Sequence, residues 1–497
     1  MYLPKLFIKN FSWFLTIILL SLFLIVNCEP KTNSKTMTKT KQNNTIEQID
    51  QHIQQGNFDS ALKLINQLKT DPKTADTTLI DLRFKKDLMR RIKRDFSKTE
   101  ENVREKLLKY YPQLTDEMLR KWEKSKALEM RVIDGEKRYF YNAVPNLFRI
   151  DKEAKKVKQS VDGKQKDNLK EFCLEHTAKI LDKYKQENEN LINPVKIKFN
   201  YNLIVDADAV PDGETIRCWM PFPREDNPRQ QNVKLIATNA ENYITAPETY
   251  KQRSIYMEKI AEAGKPTKFE MQISYESRAE YYDMSTYEIG NYVKDSDFYK
   301  KFTSEKAPHI VFSGQIQSLT DSLVAGLDSP YQKVKKIYEY IDKTIPWASA
   351  LEYSTFWNIP EYVLNNKHGD CGMQSLLLIT MLRYAGIPAK WQSGWMMHPG
   401  EVNLHDWAEV YYPAIGWVPV DMSFSLQNTD DNDVRYFYTS GIDAYRLIVN
   451  DDISTEFYPQ KIWPRSETVD FQRGEVEWRG GNLYFDQWDY NMTVEYE

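Results

Sequence analysis

At 497 residues the chain is too long for one hydrophobic core, so three or four domains are expected. An apolar content of 41% and an aromatic content of 13% exclude a disordered chain, and a net charge of −4 gives no reason to expect a nucleic-acid partner. Four cysteines, Cys28, Cys173, Cys218 and Cys371, stand far apart, which excludes a zinc ribbon, a CxxC redox motif and a dense disulfide framework. A single Cys173–Cys218 bridge stays open beside the preferred reading of two unrelated thiols.

The chain opens with Lys5 and Lys9, an apolar run from Phe11 to Val26, and then Cys28. The run is shorter than the roughly 20 residues of a spanning helix and reads as an export signal. It resembles a bacterial lipoprotein signal over residues 1–27, with Cys28 as the lipidated residue. Asn27 stands where such signals carry Gly, Ala or Ser, and an uncleaved anchor is the alternative. Either way the expected place is the cell envelope, with the chain membrane-anchored and facing the periplasm or exterior. Residues 28–45, rich in Lys, Thr and Asn, read as a polar tether.

Residues 46–192 read as a mainly α-helical region. Ile46, Ile49 and Ile53 share a face, Gly56-Asn57 breaks it, and Phe58, Ala61, Leu62, Ile65 and Leu68 resume it. The pair resembles one tetratricopeptide hairpin, but no second copy follows and no array is expected. Asp134-Gly135 predicts a hairpin, and a charged helix is expected from about Lys152 to Asn190. No chemistry is visible here; a scaffold, or a docking surface for an envelope protein partner, is the expectation.

Over residues 193–285 the period becomes two. Val195, Ile197, Phe199, Tyr201 and Leu203 alternate with polar residues, as do Phe269, Met271, Ile273 and Tyr275, which predicts an antiparallel β-sandwich. Residues 286–440 form the expected catalytic core. Residues 441–497, with Gly480-Gly481 as a hairpin signal, are expected as a β extension packed on that core.

Within the core, Ser329-Pro330 starts a helix. Gly369-Asp370-Cys371-Gly372 then runs into the apolar stretch Leu376–Leu382, which stops at Gly386-Ile387-Pro388. Cys371 thus falls at the first turn of a buried helix, where unpaired N–H groups and the positive dipole end favour a thiolate and a developing oxyanion. Strands are expected at Lys390–Trp395, His405–Tyr412 and Trp417–Asp421. An odd hairpin register puts Asp421 opposite Trp407, on the face of His405 and roughly 7–8 Å from it. An even register separates the two.

The stretch GDCGMQSLLLITMLRYAGIPAKWQSG…HDWAEVYYPAIGWVPVD resembles the transglutaminase-like superfamily. The resemblance implies a papain-related α+β core, with Cys371 as nucleophile, His405 as base and Asp421 as the residue that orients the imidazole. It also makes Trp357 the aromatic candidate for helping the oxyanion. The implied enzyme opens amide bonds of a peptide or protein substrate through a thioester, as a protease or amidase in preference to a cross-linker. A protein-glutamine γ-glutamyltransferase and a non-catalytic peptide- or glycan-binding envelope module are the alternatives. No cofactor is called for. Cys371, His405 and Asp421 are too dispersed for zinc, Asp430-Asp431-Asn432-Asp433 lacks the pattern of a calcium loop, and His368 reads either as local positive charge or as an exposed turn.

Overall fold

The computed structural model describes residues 34–497, which mix helix and sheet in an α+β architecture. The export signal and Cys28 lie outside the described residues, among which no helix is long and apolar enough to cross a membrane. The chain opens with α1 (Ser34–Gln55), α2 (Phe58–Thr70), α3 (Asp76–Asp95), α4 (Glu100–Leu108) and α5 (Asp116–Lys124). The hairpin β1 (Met130–Ile133) and β2 (Glu136–Tyr139) comes next, then α6 (Ala143–Ile150), α7 (Lys152–Asp162) and α8 (Asn168–Glu187).

The stretch expected to be an irregular tether is therefore helical from Ser34. Gly56 breaks α1 from α2 at positive φ, and a Cβ there would sit 2.0 Å from Val132 O, so only glycine fits. Asp134 and Gly135, both at positive φ, make the two-residue turn that the hairpin requires. The single charged helix expected over 152–190 is two helices. Gly163, at φ +79°, ends α7, and Asp167 caps α8 by accepting from Lys170 N. The break matters to packing. Helices α1–α7 share one core that includes Ile53, Ile65 and Leu147, whereas Ile180 and Leu181 of α8 pack with Ala279, Phe437 and Tyr438.

Then come β3 (Leu191–Val205), β4 (Thr215–Pro221), β5 (Gln230–Thr238), β6 (Tyr243–Thr245), β7 (Ser254–Ile260) and β8 (Thr267–Tyr281). The alternating residues of β3 and β8 meet as cross-strand pairs: Leu203 with Phe269, Tyr201 with Met271, Phe199 with Ile273 and Ile197 with Tyr275. The core helices are α9 (Asp297–Thr303), α10 (Gly314–Val324), α11 (Pro330–Thr344), α12 (Ile359–Asn366) and α13 (Cys371–Tyr384). Strands β9 (Ala389–His398), β10 (Glu401–Tyr412) and β11 (Gly416–Val420) precede α14 (Asn432–Arg435), β12 (Gly441–Ile442) and β13 (Arg446–Asn450). The chain ends in β14 (Glu475–Trp478), β15 (Gly481–Leu483) and β16 (Trp488–Tyr496).

Of the 441–497 extension expected on the catalytic core, β13 does join the catalytic sheet, whereas β14, β15 and β16 complete the sandwich instead. One sandwich sheet runs β12-β8-β3-β16 with β5 also on β8, and the other runs β15-β14-β4-β7-β6. The reason lies in the edges: β3 and β4 would otherwise expose unpaired backbone, and β16 and β14 pair with them. The catalytic sheet is antiparallel, in the order β11-β10-β9-β13. Helix α13 is buried along its whole apolar run, so a Leu376→Ala change there costs about 2–5 kcal/mol. Cys173 and Cys218 are both free and buried, as two unrelated thiols.

Candidate active site

Strand β10 positions the site because it outruns the helix that covers it. Ala408 and Val410 face α13 in the core cluster of that helix, while Leu404, farther back on the same face, packs with the sandwich core. Asp406 lies between them, at the first turn of α13, where helix cover stops. A cleft of about 560 Å³ opens at this seam, lined by Cys371, Asp370, Asp406, Tyr353, Asp470 and Gln472 among others.

Cys371 begins α13, with Asp370 as its N-cap accepting from Met373 N at 3.1 Å. Among the described residues, the first two helical amides, those of Cys371 and Gly372, have no backbone partner. Gly372 is required: a Cβ would meet Tyr353 Oη at 2.2 Å and Asp406 Oδ2 at 2.7 Å. The thiol donates to Asp406 Oδ2 at 3.3 Å, and among the described residues no hydrogen bond joins it to His405. The second Asp406 oxygen accepts from Gln472 Nε2 at 2.7 Å, and the same amide group donates to His405 O at 2.9 Å.

The expected lowering of the thiol pKa is reversed. Burial pushes Cys371 well above the ordinary thiol value, and the Asp406 and Asp370 carboxylates push it further. Asp406, 2% exposed, is itself driven well up by burial and then by Asp470 and Asp370, and burial raises Asp370 to about 6. The helix dipole is outweighed first by burial and then by the carboxylates that stand beside the sulfur.

His405 and Asp421 are brought together as the odd register predicts. Tyr412 pairs with Gly416 and Ala408 with Val420, which carries Asp421 to the position opposite Trp407. His405 Nε2 lies 2.8 Å from Asp421 Oδ2. That carboxylate oxygen also accepts from Arg446 Nη2 at 3.0 Å, and Arg446 reaches on to Asp443 at 2.8 Å. With Nε2–H donating to Asp421 Oδ2, Nδ1 keeps the lone pair, and it has no hydrogen-bond partner among the described residues. Burial lowers the His405 pKa, so the ring is neutral at rest.

Trp357 does not take the place expected of it. It is 47% exposed and is not among the residues that line the cleft. The 3-10 turn Tyr353–Thr355 directs Tyr353 inward instead, with its hydroxyl donating to Asp370 Oδ1 at 2.5 Å. His368 is neither a local charge nor an exposed turn: it is buried, and burial lowers its pKa to about 4. Asp431 of the acidic run caps α14, and among the described residues no group of three metal-ligating side chains converges.

The helical region, read as scaffold, supplies a wall of the cleft through Arg94, Asp95, Tyr141 and Asn142. It also clamps the loop that carries Tyr353. Asn146 exchanges hydrogen bonds with the Ser349 backbone at 2.8 and 3.0 Å, Arg91 holds Glu352 at 2.5 Å, and Asp95 accepts from Glu352 N at 3.0 Å. Sequence reasoning missed Asp406, Tyr353, Arg446 and this wall. Asp406 was within reach, since it sits beside His405 in the quoted stretch; the others needed the fold.

A family model described as the transglutaminase-like superfamily matches residues 317–422. The chain is 27% identical over 137 residues to the Bacillus subtilis protein YebA, itself uncharacterized, across 23% of this chain and 18% of YebA. It thus spans less than a fifth of that curated relative's length. Among solved structures it is similar to a Cytophaga hutchinsonii protein proposed to be a cysteine protease, with a TM-score of 0.43 and 15% identity over 62% of this chain and 91% of that one. It is also similar to the periplasmic domain of TgpA from Pseudomonas aeruginosa, with a TM-score of 0.26 and 14% identity over 48% of this chain and 93% of that one.

Proposed function

From a chain whose residues 317–422 form a transglutaminase-like domain, we infer an enzyme that transfers acyl groups from amide bonds of peptides or proteins through a thioester on Cys371. The observation that carries this reading is the cleft itself. It opens onto the first turn of α13, at the end of the strand that bears His405 with its Nε2 on Asp421.

In this reading the cycle begins with a shift at the start of β10, where His405 rests on the face opposite Asp406, that brings His405 Nδ1 to Cys371 in place of Asp406. The imidazole takes the thiol proton, and sulfur attacks the amide carbon. The Cys371 and Gly372 amides receive the oxyanion. The imidazolium, held by Asp421, gives its proton to the departing amine as the C–N bond breaks and the thioester forms. A water, deprotonated by His405, then attacks the thioester, releasing the carboxylic acid and restoring the thiol. Water is favoured over an amine because charged side chains, Asp95, Glu352 and Arg473 among them, line part of the cleft and keep solvent beside the thioester.

We place this enzyme at the cell envelope, anchored by lipid on Cys28. Metabolic labelling with a fatty acid that survives Cys28→Ser removes the anchor from the reading. The chemistry is tested by incubating the full chain with peptide amides and a primary amine and reading products by mass spectrometry. Hydrolysis adds water and amine incorporation adds the amine. Cys371→Ala is expected to lower either by about 10⁴-fold or more. Turnover that persists in that variant removes Cys371 from the chemistry, and absence of turnover in the wild type ends the reading in favour of a non-catalytic binding module.

A further inference from the structure

Six carboxylates line the cleft, those of Asp95, Glu352, Asp370, Asp406, Glu467 and Asp470, against the two guanidinium groups of Arg94 and Arg473. Four of the six are already answered. Asp95 accepts a backbone amide, Glu352 pairs with Arg91, Asp370 caps α13, and Asp406 accepts from Gln472 and Cys371. Glu467 and Asp470 differ. Among the described residues, no hydrogen bond or ion pair from any other residue reaches either carboxylate.

Both are nonetheless withdrawn from bulk water. Asp470 is only 7% exposed, and Glu467 Oε1 is shut off from solvent with no partner. Of the two cations of the lining, Arg94 is turned elsewhere, and Arg473 acts on both carboxyls through space without pairing with either. Arg94 donates to Phe485 O at 2.8 Å, and the Arg473 guanidinium lies 4.3 Å from the Phe485 ring centroid. Leaving two desolvated carboxylates without donors is costly, and burial accordingly pushes both carboxyls up. A planar guanidinium forks onto one carboxylate, whereas two carboxylates set three residues apart and facing one cleft suit a compact ammonium with three donors.

We propose that Glu467 and Asp470 are a receptor for a primary ammonium group carried by the acyl-donor substrate, so that the enzyme selects amides lying beside a lysine-type side chain or a free amino terminus. The inference rests on the acyl-transfer reading for the chemical step after binding, while the binding step stands by itself. Bringing the ammonium into this cleft also places a cation near Asp406 and Asp370, the two carboxylates that suppress the thiolate. Occupancy and activation of the sulfur are thereby coupled.

The test is calorimetric titration of the full chain with three probes: Nα-acetyl-lysine methylamide, Nε-acetyl-lysine methylamide and Nα-acetyl-norleucine methylamide. The first carries only a side-chain ammonium, the second only an α-ammonium, and the third neither. One of the first two is expected to bind about tenfold or more tighter than the norleucine probe, and which one does so identifies the source. The preference should vanish in Glu467→Gln with Asp470→Asn and persist in Asp470→Glu, which keeps the charge. Equal affinity for all three probes, no binding at millimolar concentration, or a preference that survives the neutral double variant each overturns the proposal. Ammonium-selective binding without amide opening upholds the receptor and removes the acyl-transfer reading; turnover that ignores the ammonium does the reverse.

Discussion

The two faces of β10 hold the same kinds of group under the same burial, yet their charges are treated in opposite ways. On the far face, Asp421 and Asp443 are each met by Arg446, and Asp443 also by His398. Burial works to raise the Asp443 carboxyl, but Arg446 and His398 outweigh it and hold it well below the usual carboxylate range. On the near face, Cys371, Asp406 and Asp370 are paired with no cation among the described residues, Arg473 acting on Asp370 only from a distance, and all three are pushed up. Depth alone therefore does not set the sign of a shift; the partner does. The far face is a settled network that aims the base. The near face is left uncompensated, and it is the one that opens to the cleft.

The contrast is tested most severely at Asp421. Asp421→Asn keeps the shape but loses the carboxylate that fixes the imidazole tautomer, so kcat/KM is expected to fall by about 10³–10⁴. Steady-state kinetics beside an unchanged circular dichroism spectrum checks this, and a loss under tenfold would detach Asp421 from the reaction. Next in size is Arg446→Met, which strands two buried carboxylates and is expected to cost about 3–5 kcal/mol in urea unfolding. A cost near zero would mean that the far face does not depend on its cation.

The near face is probed by Asp406→Asn. Removing that carboxyl takes away one of the groups that raise the thiol, and alkylation of Cys371 by iodoacetamide at pH 7 is expected to speed up by about tenfold. The wild-type thiol should react more slowly than free cysteine at the same pH, and faster labelling would contradict the assigned electrostatics. The smallest effect is in the pH dependence of stability. Asp370 is raised from 3.8 to about 6, so it holds a proton in the folded state that the unfolded chain has released. Its contribution is full below pH 3.8 and is lost as pH rises through about 6. Asp443, held low, behaves in the opposite sense: its contribution is present above the ordinary carboxylate range and is lost in acid. Thermal midpoints between pH 4 and 7 should fall less steeply in Asp370→Asn than in the wild type, and identical slopes would refute the assignment.

Much of this site was legible before any fold was known. Asp370-Cys371-Gly372 ahead of an apolar run fixes a capped helix start, because capping and hydrophobic period are local properties. The odd register of β10 and β11 comes from loop length and the period of two, and it brought His405 to Asp421. What local pattern does not carry is how far one element reaches past another. That β10 outruns α13, that Asp406 comes to rest against Cys371, and that β14 and β16 return across the chain to close the sandwich are matters of long-range packing. Charge compensation is of the same kind. Arg446 lies 25 positions beyond Asp421, and Asp470 lies 99 beyond Cys371, so no spacing rule links them. Chain order was enough to say which residues start the helix and which face of the strand carries the imidazole. Which buried charges meet a partner was left to packing in three dimensions, because desolvation and Coulomb energy depend on distance in space, and the order of residues does not record it.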